Sequence, residues 1–204
     1  MKLYYATGAC SLADRIMLHE AGLAAAFERV DLRTKLTEAG VDFRTINPKG
    51  YVPALVLDDG EILTENLAVL SWIAGQAPGQ VPPGPLGPIR LLEALAFIST
   101  EVHKPLKPFF TRGSSDEEKA RAAAAIADRL ALVAPVITGR YLFGDRFTPA
   151  DAYLFVMLRW ARRFGLTVPP ALETFRARVA ERSTVRTALT EESLDEAPDL
   201  RRAV

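Results

Sequence analysis

Apolar and polar positions change their rhythm once along this 204-residue chain. Up to residue 76, short apolar runs alternate with helical repeats; beyond residue 88 only helical repeats remain. Residues 2–6 read as a short strand. Residues 11–21 read as a helix, with Ser11 and Asp14 spaced as a capping box and Gly22 as its stop. Residues 27–32 give a second strand and residues 42–46 a short helix. Asn47-Pro48-Lys49-Gly50 is a turn, since it can neither continue a helix nor sit inside a strand. Pro53 then leads an apolar run to Leu57, in the one strand position where proline is well tolerated. Asp59-Gly60 reads as a two-residue hairpin turn, with Ile62-Leu63 as the return strand. Thr64-Glu65-Asn66 opens an amphipathic stretch over residues 67–73. The order βαβαββα sets a parallel unit beside an antiparallel hairpin, which is the thioredoxin-like arrangement.

Residues 77–88 are dense in Pro and Gly and read as a linker. Residues 89–110 form a long apolar-periodic helix, interrupted or ended near Pro105 and Pro108. Residues 116–138 are Ala-rich and open on acids, as the helix dipole prefers, with Pro135 as kink or stop. Further helices cover 148–164 and 170–182, with an added turn at 184–189. The tail from Glu191 is charged and expected to be loose. The fold class is therefore α/β plus all-α: a thioredoxin-like domain over 1–76, a linker over 77–88, and an all-helical domain over 89–204.

Composition removes several functions. The 25 Lys and Arg balance the 25 Asp and Glu, so no bulk charge draws nucleic acid or anionic membrane. No run of about 18 apolar residues and no basic-apolar leader is present, which reads as a soluble cytoplasmic protein. One cysteine excludes an internal disulfide, and two distant histidines give no metal-ligand spacing. Glycine-rich phosphate loops and a nucleophile elbow are absent.

The remaining chemistry gathers around residues 47–66. A Pro-led strand, a tight hairpin and a helix start carrying Glu65 and Asn66 lie within twenty residues. That places a free strand edge beside an anion-binding helix end, a site suited to a peptide-like ligand. Cys10 lies between a strand end and a helix start, where unpaired N–H groups favour a thiolate. It reads equally well as a half-buried structural thiol. Ala13 stands where a thioredoxin-type enzyme has its second cysteine, so a resolving thiol must come from outside. Phe147-Thr148-Pro149-Ala150-Asp151 carries nearly every device of a helix start, which makes Asp151 a folding element.

Asn-Pro-x-Gly-x-Val-Pro followed by Leu-x-Asp-Gly-x-x-Leu-Thr-Glu resembles the glutathione-site motif of the glutathione transferases. The opening residues 1–12, Glu101-Val102-His103-Lys104 and residues 146–155 are similar to the bacterial beta class, in order and spacing. The resemblance implies glutathione as co-substrate, no metal, a small electrophilic second substrate and a homodimer. It implies a cis bond before Pro53, with Tyr51, Val52 and Pro53 pairing the cysteinyl unit as an added strand. Glu65 and Asn66 would hold the γ-glutamyl group, although many relatives carry Ser at that second position. Lys35, a surface lysine by itself, would reach the glycyl carboxylate. His103 and Lys104 would face the tripeptide across the cleft, and Thr100 and Glu101 would approach the partner subunit's site. Ala96 stands where the helix often has Asn. Tyr5 and Ser11 are the hydroxyls that could steady a thiolate beside Cys10. Phe109, Phe110 and Trp160 would line the second-substrate pocket.

The implied activity is conjugation of the glutathione thiolate to electrophilic, mostly hydrophobic compounds. Thiol–disulfide exchange through Cys10 is the near alternative. A carrier of glutathione or hydrophobic ligands without turnover is the alternative from another class.

Overall fold

Alternation along the first strands decides which residues meet the helices. The computed structural model describes residues 1–194. Its strands β1 (Lys2–Tyr5), β2 (Ala26–Asp31), β3 (Leu36–Thr37), β4 (Ala54–Val56) and β5 (Ile62–Thr64) form one sheet in the order β3-β2-β1-β4-β5. Leu3 pairs with Phe27 in parallel β2 and with Leu55 in antiparallel β4. Leu3 and Leu55 face the main core, while Tyr4, Val30 and Ala54 pack on the opposite face with Phe43 and Val52.

Helix α1 (Leu12–Glu20) is buried along Leu12–Leu18, including Asp14 and Arg15. It packs against α2 (Asn66–Gln76), α6 (Pro149–Arg163) and α8 (Ser183–Glu191). One core runs without a break from Leu3 and Ile73 to Leu95, Phe155 and Phe175, so the sheet half and the helical half share it. The remaining helices are α3 (Gly87–Phe97), α4 (Lys107–Phe110), α5 (Asp116–Val133) and α7 (Pro170–Ala180). The expected order of a thioredoxin-like sheet domain followed by a helical one is the order found.

Several local expectations differ. The hairpin loop has three residues, because Leu57 N bonds Glu61 O and leaves Asp58-Asp59-Gly60 to turn, with Gly60 at φ +89°. Strand β3 is an addition, and residues 43–45 make only a 3₁₀ turn capped by the Asp42 carboxylate. The Ser11–Asp14 box does not form: Ser11 Oγ accepts from the Ala6 amide instead. Strand β4 is interior, so the free edge expected there is the short segment before it. The helix over 89–110 keeps its course past the prolines by changing its bonding. It loosens to a π-helical segment at Ile98–His103 and tightens to 3₁₀ at Lys104–Leu106. Pro105 and Pro108 lack the N–H groups an α ladder would need there. Helix α5 stops before Pro135 and opens on a Ser115–Glu118 capping box. The turn at 184–189 is a full helix, α8. Glu191 and Glu192 are tied rather than loose: both pair with the buried Arg15, at 3.1 and 3.4 Å. The rest of the expected tail, residues 195–204, lies outside the described residues.

Candidate functional site

A cleft of about 960 Å³ opens where the two halves meet. Its floor is the loop 6–10 between β1 and α1. One side is Tyr51, Val52 and Glu65, and the other is the helical wall from Ser99 to Lys107 with Phe110, Trp160 and Arg163.

The floor is held from both sides. Gly8 turns at φ +68°, a conformation that suits glycine. Its amide donates to Glu192 at 2.7 Å, and its carbonyl accepts from Trp160 Nε1 at 2.8 Å. Two residues on, Cys10 is buried and its Sγ donates to the Val52 carbonyl at 3.8 Å. Burial pushes this thiol up to about 12, with the nearby Asp14 carboxyl adding to the effect and the Ser11 amide opposing it. The helix end beside Cys10 is expected to favour an anion; burial of the thiol acts in the opposite direction.

The segment before β4 is fixed by its own loop. Asn47 Nδ2 donates to the Tyr51 carbonyl at 2.7 Å, and Lys35 Nζ donates to the Gly50 carbonyl at 2.8 Å. The Val52–Pro53 bond is cis. Among the described residues no backbone acceptor takes the Val52 amide, so that donor is open to a ligand. Glu65 follows β5 at φ +72°, and Lys49 Nζ bonds its carboxylate and Thr64 Oγ1. The first intrahelical bond of α2 runs from Val69 N to Glu65 O. The amides of Asn66, Leu67 and Ala68 precede it and lie at the positive end of the helix.

The helical wall carries a buried polar group. His103 Nδ1 lies 2.5 Å from the Tyr153 hydroxyl, whose other neighbours are Ser99 and Asn66. Burial lowers His103 to about 4 and raises the Tyr153 phenol, so both are neutral at neutral pH. His103 meets the Trp160 ring edge-on at 5.0 Å, and Phe110 meets the same indole at 4.6 Å.

The structure thus brings Cys10, Tyr51, Val52, Glu65, Thr100, His103, Lys104, Phe110 and Trp160 to one cleft. It does not bring the rest. Tyr5 lies under the Arg15 guanidinium, 4.0 Å from its ring. Ser11 is fully buried. Lys35 is engaged by Gly50, and Pro53 stands behind Val52. Asn66 is buried toward Tyr153, Glu101 pairs with Arg129 at 2.7 Å, and Phe109 stacks on Phe164. Sequence reading missed Lys49, Ser99, Lys107, Tyr153 and Arg163. Ser99 and Lys107 lie one turn from His103 and Lys104, and Arg163 one turn from Trp160. Same-face helical spacing is the signal that finds them.

Known proteins share this architecture. The glutathione S-transferase N-terminal domain matches residues 9–76 and the C-terminal domain matches residues 97–183. Glutathione S-transferase GstA of Escherichia coli O157:H7 is 40% identical over 95% of this chain and 100% of its own. The chain belongs to the glutathione S-transferase family. A sphingomonad glutathione S-transferase solved in complex with glutathione superposes with a TM-score of 0.90, at 44% identity over 96% of this chain and 100% of that one. The bacterial beta-class glutathione S-transferase of Sphingomonas chungbukensis gives 0.87, also at 44% identity over 96% and 100%. This transferase stands with that beta class. Where the Asn expected of the family is replaced by Ala96, the Thr100 hydroxyl donates to the Ala96 carbonyl at 3.1 Å. Among the described residues no group of His, Cys, Asp or Glu could hold a metal, and no helix is long and apolar enough to cross a membrane.

Proposed function

We propose that the cleft binds glutathione and joins its sulfur to a small electrophile. The observation that carries this is the unsatisfied Val52 amide beside the cis proline, with the Cys10 thiol on the carbonyl of the same residue and the open end of α2 next to it. An extended cysteinyl unit pairs with Val52 as a short added strand. The γ-glutamyl carboxylate meets the free amides of α2, and Glu65 meets the ammonium. The sulfur then lies over Cys10.

Cys10 remains a thiol at neutral pH, so it acts as a donor. The Cys10 S–H, turned from the Val52 carbonyl to the bound sulfur, and the His103–Tyr153 pair offer neutral hydrogen-bond partners to a glutathione thiolate. They lower that thiol's pKa without adding a competing charge. The wall of Phe110 and Trp160 holds the electrophile, and proximity supplies most of the rate. Exchange with Cys10 as nucleophile is the weaker reading, because it needs the thiolate that burial disfavours. The carrier reading is answered by turnover. Conjugation of a few aryl halides, followed by the ultraviolet absorbance of the thioether, tests the proposal. A rate no higher than the uncatalysed one, with glutathione bound, supports the carrier.

Three further readings belong to this proposal. The division into 1–76, 77–88 and 89–204 is supported by the Pro- and Gly-rich crossing after α2, with α3 already under way at Gly87. Pairing of two copies is supported by the exposed Leu86, Ile89 and Leu92 on the α3 side of the molecule. A cytoplasmic setting suits an unpaired cysteine and a reduced thiol substrate.

A further inference from the structure

We propose that the electrophile this cleft selects is an anionic aromatic compound, a benzoate-like acid rather than a neutral one. The inference rests on the transfer reading above and names its second substrate. Three cations, Lys104, Lys107 and Arg163, line the helical wall of the cleft. Among the described residues no acid pairs with any of them. Lys107 lies one turn beyond Lys104, and Arg163 one turn beyond Trp160. The two aromatic rings that touch at 4.6 Å, Phe110 and Trp160, line the cleft with these charges.

The rest of the lining does not cancel this charge. Glu65 is the acid in the cleft lining, and Lys49 already pairs with it. Burial keeps His103 neutral. Glutathione brings two carboxylates and one ammonium. The open end of α2 takes one carboxylate, and Lys104, nearest His103, takes the other. Lys107 and Arg163 remain beside the rings. A flat ring over Trp160 and Phe110 with a carboxylate on Arg163 or Lys107 satisfies both features at once: the guanidinium fork fits a carboxylate, and the aromatic faces fit an arene.

The reaction balances without a further reagent. The glutathione sulfur forms a bond to the ring carbon bearing a halide, the carbon–halogen bond breaks, and halide leaves with the electron pair. The thiol proton passes to solvent.

The test compares 4-chloro-3,5-dinitrobenzoate with 4-chloro-3,5-dinitrobenzamide, each rate divided by its uncatalysed rate with glutathione. The acid is expected to be favoured roughly tenfold in kcat/KM, the scale of two partly exposed charge contacts. That ratio should fall toward one in Lys107→Met/Arg163→Met, and when salt rises from about 0.02 M to about 0.5 M. Arg90→Met/Arg121→Met, two cations outside the cleft lining, controls for net charge and should keep the ratio. An amide turned over as well as the acid overturns the proposal and leaves the transfer reading standing. So does a double variant that lowers both rates alike, since the cations then serve glutathione. If neither compound is turned over, the transfer reading fails. Calorimetry with the unreactive 3,5-dinitrobenzoate and its amide then decides the charge preference.

Discussion

Glu192 accepts the Gly8 amide at 2.7 Å, although 184 residues separate the two along the chain. The same carboxylate lies 3.4 Å from buried Arg15, and the Gly8 carbonyl takes the Trp160 indole N–H. The end of α8 thus pins the loop that carries Cys10. Glu192→Ala leaves the Gly8 amide without its acceptor and buried Arg15 with Glu191 as its remaining acid, and is expected to destabilise the fold by about 2 kcal/mol. Chemical denaturation checks this. Burial holds Glu192 at about 7, well above its ordinary 4.5. Between those values the native state keeps a proton that the unfolded chain releases, so this group's support for folding fades as pH rises from 4.5 to 7. Glu192→Gln should flatten that part of the stability profile.

His103 has the opposite sign. Burial lowers it from 6.5 to about 4, so it stays neutral through the working range. No limb of kcat/KM near pH 6.5 should belong to it, and its imidazole resonances should not titrate between pH 5 and 8. A ring that titrates near 6.5 would remove the neutral His103–Tyr153 donor from the mechanism. In the unfolded chain the ring binds a proton over that interval, so its contribution to folding is lost as pH falls from 6.5 toward 4.

Burial favours the Cys10 thiol over the thiolate. Cys10→Ser is expected to keep conjugation within about threefold of the parent, since a hydroxyl replaces one neutral donor by another. Iodoacetamide should label Cys10 more slowly at neutral pH than it labels free cysteine. Rapid labelling, or a dead Cys10→Ser, would favour exchange.

Asp151 holds a loop and a helix start together. Its carboxylate accepts from Leu142 N at 2.8 Å, Thr148 N at 2.8 Å and Thr148 Oγ1 at 2.7 Å. Asp151→Ala leaves those donors buried and should destabilise by about 3 kcal/mol. Thermal unfolding measures the loss. Retained glutathione affinity in the folded fraction would mark the role as structural.

The order of strands and helices was legible because hydrophobic period and proline position report local backbone demands directly. The motif over residues 47–66 and the start of α6 were legible for the same reason. What sequence missed depends on distance. The Ser11–Asp14 spacing fits a cap, yet α1 is buried all round, so Asp14 points into the core and Ser11 turns back to Ala6. Cys10 sits at a helix end, but nothing in the sequence reveals how little water reaches it. Lys35 looked free until Gly50 came beside it. Tyr153 resembled a core aromatic because its partner, His103, lies 50 residues away.

Calorimetric titration of the protein with glutathione, alongside Glu65→Ala, tests the central claim most directly. The account predicts a single saturable site in the parent, and affinity at least about tenfold weaker once Glu65 no longer meets the γ-glutamyl ammonium. Equal affinities, or no binding heat at millimolar glutathione, would contradict it.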